Sequence, residues 1–189
     1  SDPDVQLNTW PDLPEAFPHY GGSYLFMLYL YSRFGQETIR ELVAHPGNGI
    51  QGLDAVLTGH GVSFEEVYGD WLVANYVDNL AVTSADGKAR YTYPDHLVGP
   101  VVLDAIHKDY PVERRSTVHQ YAADYVELTG RGDLVVEFSG DTWARLVPVD
   151  AHSGQHAWWS NRGDDRDAML TRALDLRSVD SATLRVWMW

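Results

Sequence analysis

A group of carboxylates near the C-terminal end of the chain is the first set of residues that could bind a metal ion. Asp164, Asp165 and Asp167 follow one another closely in the stretch NRGDDRD. Calcium takes about six to eight oxygen ligands from carboxylates and carbonyls, and loops of β-sandwich domains often supply them. The spacing is not that of an EF-hand, and two arginines in the stretch offset the charge. These features favour a solvated loop, with calcium binding as the alternative.

The chain has eight histidines but no HExxH motif, which would place two imidazoles on one helical face with a glutamate beside a zinc-bound water. His152 and His156 have i,i+4 spacing, yet Gly154 lies between them in a stretch typical of loop or strand. A helical metal site is therefore not predicted there.

Ser23 lies in the stretch GGSYL, which lacks the second glycine of the GxSxG nucleophile elbow. A helix N-cap is the favoured interpretation of this serine.

Trp158 and Trp159 are adjacent aromatic residues that could form a binding surface for sugars or protein. Successive side chains of a strand point to opposite faces, so at most one of the two would be exposed in a strand. The spacing therefore favours core packing, with ligand binding as the alternative.

Charge and hydropathy exclude two classes of partner. The chain of 189 residues has a formal net charge of −13, so its average surface repels nucleic acid and anionic membranes. The longest apolar run, Tyr24 to Tyr31, is far shorter than the roughly 20 residues needed to cross a bilayer. We expect no nucleic acid partner and no membrane span. The absence of cysteine leaves the compartment open.

The periodicity from Tyr24 to Val77 predicts four helices. The first is apolar nearly all round, which predicts a central position, and Gly35 is placed to cap its C-terminus. A second helix is predicted from Gln36 to about Ala44 and a third, short one over Leu53 to Leu57. Ser63 and Glu66 have the spacing of a capping box for the fourth.

The later part of the chain alternates between apolar and polar residues, which predicts strands. Five short strands are predicted within 133–139, 142–148, 155–160, 168–174 and 182–189. Strands at this spacing indicate a β-sandwich. We therefore predict an α+β fold: an all-helical domain, 1–115, followed by a partial antiparallel β-sandwich of jelly-roll type, 116–189.

Three stretches of the helical half together resemble one family. They are YGGSYLF from Tyr20, GLDAVL from Gly52 and YGDWLVANY from Tyr68. They are similar to the segment that follows the zinc-binding helices in secreted HExxH metallopeptidases of the immune inhibitor A type. The run WWSNRGD from Trp158 and the final residues ATLRVWMW resemble the β-sandwich of the same group.

The resemblance implies a catalytic role for Tyr20. In related zinc peptidases of the gluzincin type, a tyrosine three residues before the small residue that opens a long apolar helix points its hydroxyl at the substrate carbonyl. Tyr20 stands three before Ser23. Such a phenol would stabilise the oxyanion formed when zinc-activated water attacks. The alternative is a tyrosine that only packs at the helix start, and His19 is a weaker candidate for the same role or for substrate binding.

The resemblance also implies a fragment. Because HExxH is absent from the chain, we expect zinc only in the complete protein and no hydrolysis by this chain alone. The expected function is a substrate-cleft wall and accessory domain of an extracellular zinc metallopeptidase that acts on protein or peptide. The missing strands of the predicted sandwich would leave an open sheet edge able to pair with another chain. The alternatives are a non-catalytic extracellular binding module that uses Trp158 or Trp159, and a degenerate relative with a structural role.

Overall fold

A computed structural model describes residues 3–78, 90–93, 99–141, 145, 147, 149–160 and 167–188 of the chain. The chain divides into two compact units, Ser1–Val136 and Glu137–Trp189. The four helices and two strands of the described residues all lie in the first unit. The division into domains 1–115 and 116–189 stays a sequence-based prediction.

The four helices are α1, Phe17–Phe34; α2, Gln36–Ala44; α3, Gly49–Thr58; and α4, Phe64–Val77. The prediction of four helices is confirmed, and the predicted bounds of α2 agree with the structure. The capping box of α4 is also confirmed: Ser63 Oγ accepts a hydrogen bond from the Glu66 amide at 3.2 Å, and Glu66 Oε2 accepts one from the Ser63 amide at 2.8 Å. Gly35 ends α1 with φ 86°, a conformation that favours glycine.

The start of α1 differs from the prediction. The helix begins at Phe17, with Pro18 in its first turn, so Ser23 lies inside the helix and does not cap it. Proline is compatible with a helix start because its φ is already helical and its missing N–H would be unpaired there. Gly21 and Gly22 are consequently helical residues, not a turn. Each costs about 1 kcal/mol of helix stability relative to alanine.

The core of the first unit is formed by one face of α1 against α3 and α4. Its buried side chains are Phe26, Tyr29, Leu30, Leu57, Phe64, Val67, Trp71, Ala74 and Tyr93. The ring of Phe26 meets that of Trp71 edge to face, with centroids 5.2 Å apart. The opposite face of α1 is exposed at Tyr20, Tyr24 and Tyr31. The helix is therefore packed on one side, not central on all sides.

A buried carboxylate connects α1, α4 and the residues that follow them. Asp70 Oδ2 accepts hydrogen bonds from Arg33 Nη1 at 2.7 Å and from Arg90 Nε at 2.9 Å. Arg33 Nη1 also donates to the Tyr29 hydroxyl at 3.0 Å, and that hydroxyl donates to the Arg90 carbonyl oxygen at 2.7 Å. This network fixes the C-terminal half of α1 against α4.

The predicted antiparallel β-sandwich is wrong. The strands among the described residues are β1, Ala105–His107, and β2, Val126–Leu128, which pair in parallel with Ala105 opposite Val126. The described residues of the five predicted strands contain no strand. Residues 142–144, 146, 148 and 189 lie outside the described residues.

The physical reason is that the described part of these segments provides no second layer. An alternating pattern becomes a strand only where hydrogen-bonded neighbours and a covering layer bury its apolar face. The described apolar side chains of these segments stay exposed, as Phe138 shows with 93% of its surface accessible. Pairing with another chain through an open sheet edge stays a prediction.

Among the described helices, none combines the length and the apolar character that a membrane-spanning segment requires. This agrees with the expectation from the short apolar run in α1.

Candidate functional site

The first turn of α1 carries His19 and Tyr20, the two residues to which the family resemblance assigns catalytic roles. The Tyr20 ring meets the Trp10 ring edge to face at 4.5 Å, and Tyr20 remains 55% exposed. Tyr20 lies on α1, and the other face of this helix packs in the core. The packed helix therefore holds the phenol in a fixed position. The side chain is therefore available to a molecule that approaches this surface.

His19 points inward from the same turn. Its Nδ1 lies 3.0 Å from the carbonyl oxygen of Gln6. Because a carbonyl oxygen only accepts, Nδ1 is the donor, and in the neutral ring Nε2 is then an acceptor. The residue is half-buried and lines a cavity, whereas Tyr20 does not line it. His19 therefore lies at the cavity, whereas Tyr20 lies on the surface.

The cavity has a volume of about 440 Å³. Its walls come from the N-terminal segment 3–7, the first turns of α1, one face of α4, and the segments 99–101 and 121–125. Most of the lining is apolar, and α1 contributes Gly21, Gly22 and Leu25 to it. Helices α1 and α4 therefore frame a single apolar space beside the core.

Tyr68 is among the residues that line the cavity, and its hydroxyl has no hydrogen-bond partner among the described residues. Its hydroxyl is buried and makes no hydrogen bond. The ring is held between Phe64, at 5.8 Å, and Tyr121, at 5.7 Å. Burial, and to a smaller extent the neighbouring Tyr125 and Tyr121, raise the pKa of Tyr68, so the hydroxyl keeps its proton and remains a donor.

Trp71, one turn further along α4, also lines the cavity and has a second buried donor, the N–H of its indole ring. Its Nε1 is buried and has no hydrogen bond of good geometry among the described residues. It does lie near enough to Tyr93 to lower that residue's pKa slightly, against the larger opposite effect of burial. The Tyr68 hydroxyl is therefore the clearer of the two unpaired donors.

The other predicted site residues lie outside this region of the chain. Asp164 and Asp165 are outside the described residues, and Asp167 is exposed. Trp158 is 79% exposed and Trp159 is 46% exposed, in a segment without strand structure. The favoured expectation that these tryptophans pack in a core is wrong, because no strand pairing turns either of them inward.

The sequence predicts neither the cavity nor the position of Tyr68 in its lining. The cavity joins segments more than a hundred residues apart in the sequence, and Tyr68 belongs to a family-like stretch without a signal of its own. One signal was available: two adjacent glycines in a helical pattern carry a cost that often has a packing or functional reason.

Comparisons with known proteins gave no match: no protein-family model, curated protein or solved structure is similar to the chain. The resemblance to the immune inhibitor A type therefore stays a prediction.

Proposed function

We propose that the helical unit forms one wall of the substrate cleft in a secreted zinc metallopeptidase, with Tyr20 as a hydrogen-bond donor to the substrate carbonyl. The observation that carries the proposal is the position of Tyr20. It is exposed on the first turn of a helix whose opposite face packs in the core. The three family-like stretches supply parts of α1, α3 and α4, which pack together.

Tyr20 would act on the charge that develops during hydrolysis. As a peptide carbonyl is attacked, its oxygen gains negative charge and becomes a stronger hydrogen-bond acceptor. A phenol held by a rigid helix needs little reorganisation to donate to it. His19, directed to the cavity and bonded to Gln6, fits a supporting role beside Tyr20 better than direct contact with the same carbonyl.

The described residues do not fit a zinc ion, since they contain no group of three or more His, Asp or Glu side chains that could hold a metal. In this proposal, an HExxH segment that the chain itself lacks would hold the zinc, which would supply the activated water. The contribution of this chain is limited to substrate contact and hydrogen-bond donation. An extracellular location and calcium binding near Asp164, Asp165 and Asp167 belong to the same proposal.

The class of reaction is tested by assaying unfolded casein with the 189-residue chain and with a longer protein that includes it and the residues encoded upstream. We expect hydrolysis by the longer protein alone, its loss on treatment with a zinc chelator, and its return on addition of zinc. Hydrolysis that persists without metal, or no hydrolysis by the longer protein, would contradict the proposal.

A second candidate function is a non-catalytic binding module, and it is favoured by the exposure of both Trp158 and Trp159. Exposed indole rings offer a large, rigid surface on which sugar rings or apolar side chains can stack. This candidate needs no metal and no Tyr20.

The second candidate predicts that the chain binds a glycan or peptide in an array, and that Trp159→Ala weakens the binding by about 10-fold through loss of ring stacking. Trp10→Ala is the matched control, because Trp10 is an exposed tryptophan of the first unit. Equal losses in the two variants, or no ligand at all, would rule out this function.

A further inference from the structure

The turn that follows β2 carries two charged residues that have no role in either proposed function. Arg131, Gly132 and Asp133 form an Arg-Gly-Asp triplet within the first unit. We infer that this turn docks to an extracellular receptor whose ligand pocket holds a divalent cation beside a carboxylate. Asp133 binds the cation, and Arg131 pairs with the carboxylate. The inference requires the extracellular location proposed above, but neither peptidase activity nor Tyr20.

Both charged side chains of the triplet are available to a partner. Arg131 and Asp133 are exposed, and among the residues that the structure describes neither side chain forms a hydrogen bond or an ion pair. Asp175 and Arg177 have the same separation in the sequence, yet they pair with each other, with Arg177 Nη2 2.7 Å from Asp175 Oδ2. The turn after β2 therefore keeps two opposite charges apart.

Gly132 determines the shape of this turn. The chain bends at Arg131 and Gly132, and Gly132 has φ 95°, a conformation that favours glycine. A Cβ atom at this position would meet no atom within 4 Å, so the backbone conformation and not the available space requires a glycine. The middle residue of the triplet thus sets the directions in which its two neighbours leave the turn.

The base of the turn is fixed to the two-stranded sheet. The Thr129 amide donates to the His107 carbonyl oxygen at 2.9 Å, and the Tyr110 hydroxyl lies 3.0 Å from the Thr129 carbonyl oxygen. The Tyr110 ring lies so close to Gly130 that a Cβ atom there would be 3.2 Å from it. A loop held in this way loses less conformational entropy on binding than a free segment does.

The chemistry of the two side chains defines the receptor. Carboxylate oxygens are the ligands that Mg²⁺ and Ca²⁺ prefer, and a guanidinium forms paired hydrogen bonds with a carboxylate. The Cα atoms of Arg131 and Asp133 are at most about 7 Å apart, because one residue separates them, so a single pocket can engage both. Leu134 and Val135 follow directly, at 47% and 84% exposed, and offer apolar contact area beside the charges.

The test is a titration of the 189-residue chain onto the immobilised ectodomain of an integrin of the Arg-Gly-Asp-binding type, in buffer with Mg²⁺. All chains carry Asp164→Glu, so that a second triplet of the sequence, Arg162 to Asp164, does not supply the ligand. We expect saturable binding that EDTA abolishes. Asp133→Glu keeps the charge but moves the carboxylate by one methylene group, and it should weaken binding at least tenfold.

Two further variants separate the turn from its charge. Gly132→Ala keeps both charged side chains but disfavours the positive φ, and it should weaken binding about fivefold or more. Asp109→Glu makes the same chemical change as Asp133→Glu at another exposed aspartate of the first unit, and it should stay within about twofold of the parent chain.

The inference is overturned by an absence of saturable binding, by binding that persists in EDTA, or by equal affinities of the parent chain and Asp133→Glu. Because Asp133 is exposed and has no side-chain partner among the described residues, we expect Asp133→Glu to fold like the parent chain, which circular dichroism checks. Peptide hydrolysis is not part of the measurement, so its outcome and that of the casein assay are independent.

Discussion

Under the proposed function, Tyr20→Phe is expected to lower kcat for peptide hydrolysis by about 10²-fold to 10³-fold in a longer protein that carries an HExxH segment, while KM changes by less than about twofold. The substitution removes one hydroxyl and leaves the ring in contact with Trp10. A donor that acts mainly on the developing oxyanion stabilises the transition state more than the bound substrate. Steady-state kinetics on a fluorogenic peptide separate the two parameters.

Tyr24→Phe is the matched control for this prediction. Tyr24 lies one turn further along α1 and is 63% exposed, so the residue is at least as exposed as Tyr20, at 55%. We expect its kcat to remain within about twofold of the parent value, as for most surface substitutions. Equal kcat values for the parent and Tyr20→Phe would contradict the proposal that Tyr20 stabilises the oxyanion.

Asp70→Ala is expected to lower the free energy of unfolding by about 3 to 5 kcal/mol, because it leaves the largely buried Arg33 without its carboxylate. Asp70 accepts one hydrogen bond from Arg33 and one from Arg90, and it lies at the contact between α1 and α4. Equilibrium unfolding in urea, followed by circular dichroism, measures the loss.

Glu37→Ala provides the comparison for Asp70. Glu37 forms an ion pair with Arg40 on the surface of α2, and both side chains are largely exposed. Such a pair contributes about 1 kcal/mol or less, so the variant should unfold close to the parent midpoint. A similar small loss in Asp70→Ala would show that the buried network adds little to the stability of the unit.

Local signals predicted the helical half well. The Ser63 and Glu66 spacing predicts a cap that depends on only four consecutive residues, and the structure contains both of its hydrogen bonds. Gly35 similarly marks the start of α2, since it is the residue directly before Gln36. Features of this kind are determined within one helical turn, so the sequence alone is sufficient to predict them.

Predictions that depended on distant packing were wrong. The alternation in residues 133–139 predicts a strand, but a strand needs a neighbour, and the described residues supply none there. The pairing that does occur joins Ala105 to Val126 in parallel, and neither short segment has a strong strand signal. The helical position of Gly21 and Gly22 is likewise not predicted by local rules, because glycine disfavours helix interiors.

The candidate site was predictable in part. The motif around Tyr20 predicts a catalytic role that stays a prediction, and the all-round apolar pattern predicts a central helix, whereas Tyr20, Tyr24 and Tyr31 are exposed. The division between His19, which lines the cavity, and Tyr20, which does not, depends on the exact start of α1. Helix starts are uncertain by a few residues when no side-chain cap marks them, and Ala16 provides none here.

The most direct test of the central claim is the inhibition constant of a phosphonamidate peptide, whose charged phosphoryl oxygen mimics the oxyanion, against the longer protein and its Tyr20→Phe variant. If Tyr20 donates to that oxygen, the inhibition constant should rise by the same factor, about 10²-fold to 10³-fold, by which kcat/KM falls. An inhibition constant unchanged by Tyr20→Phe would contradict the assignment of Tyr20 to the substrate cleft.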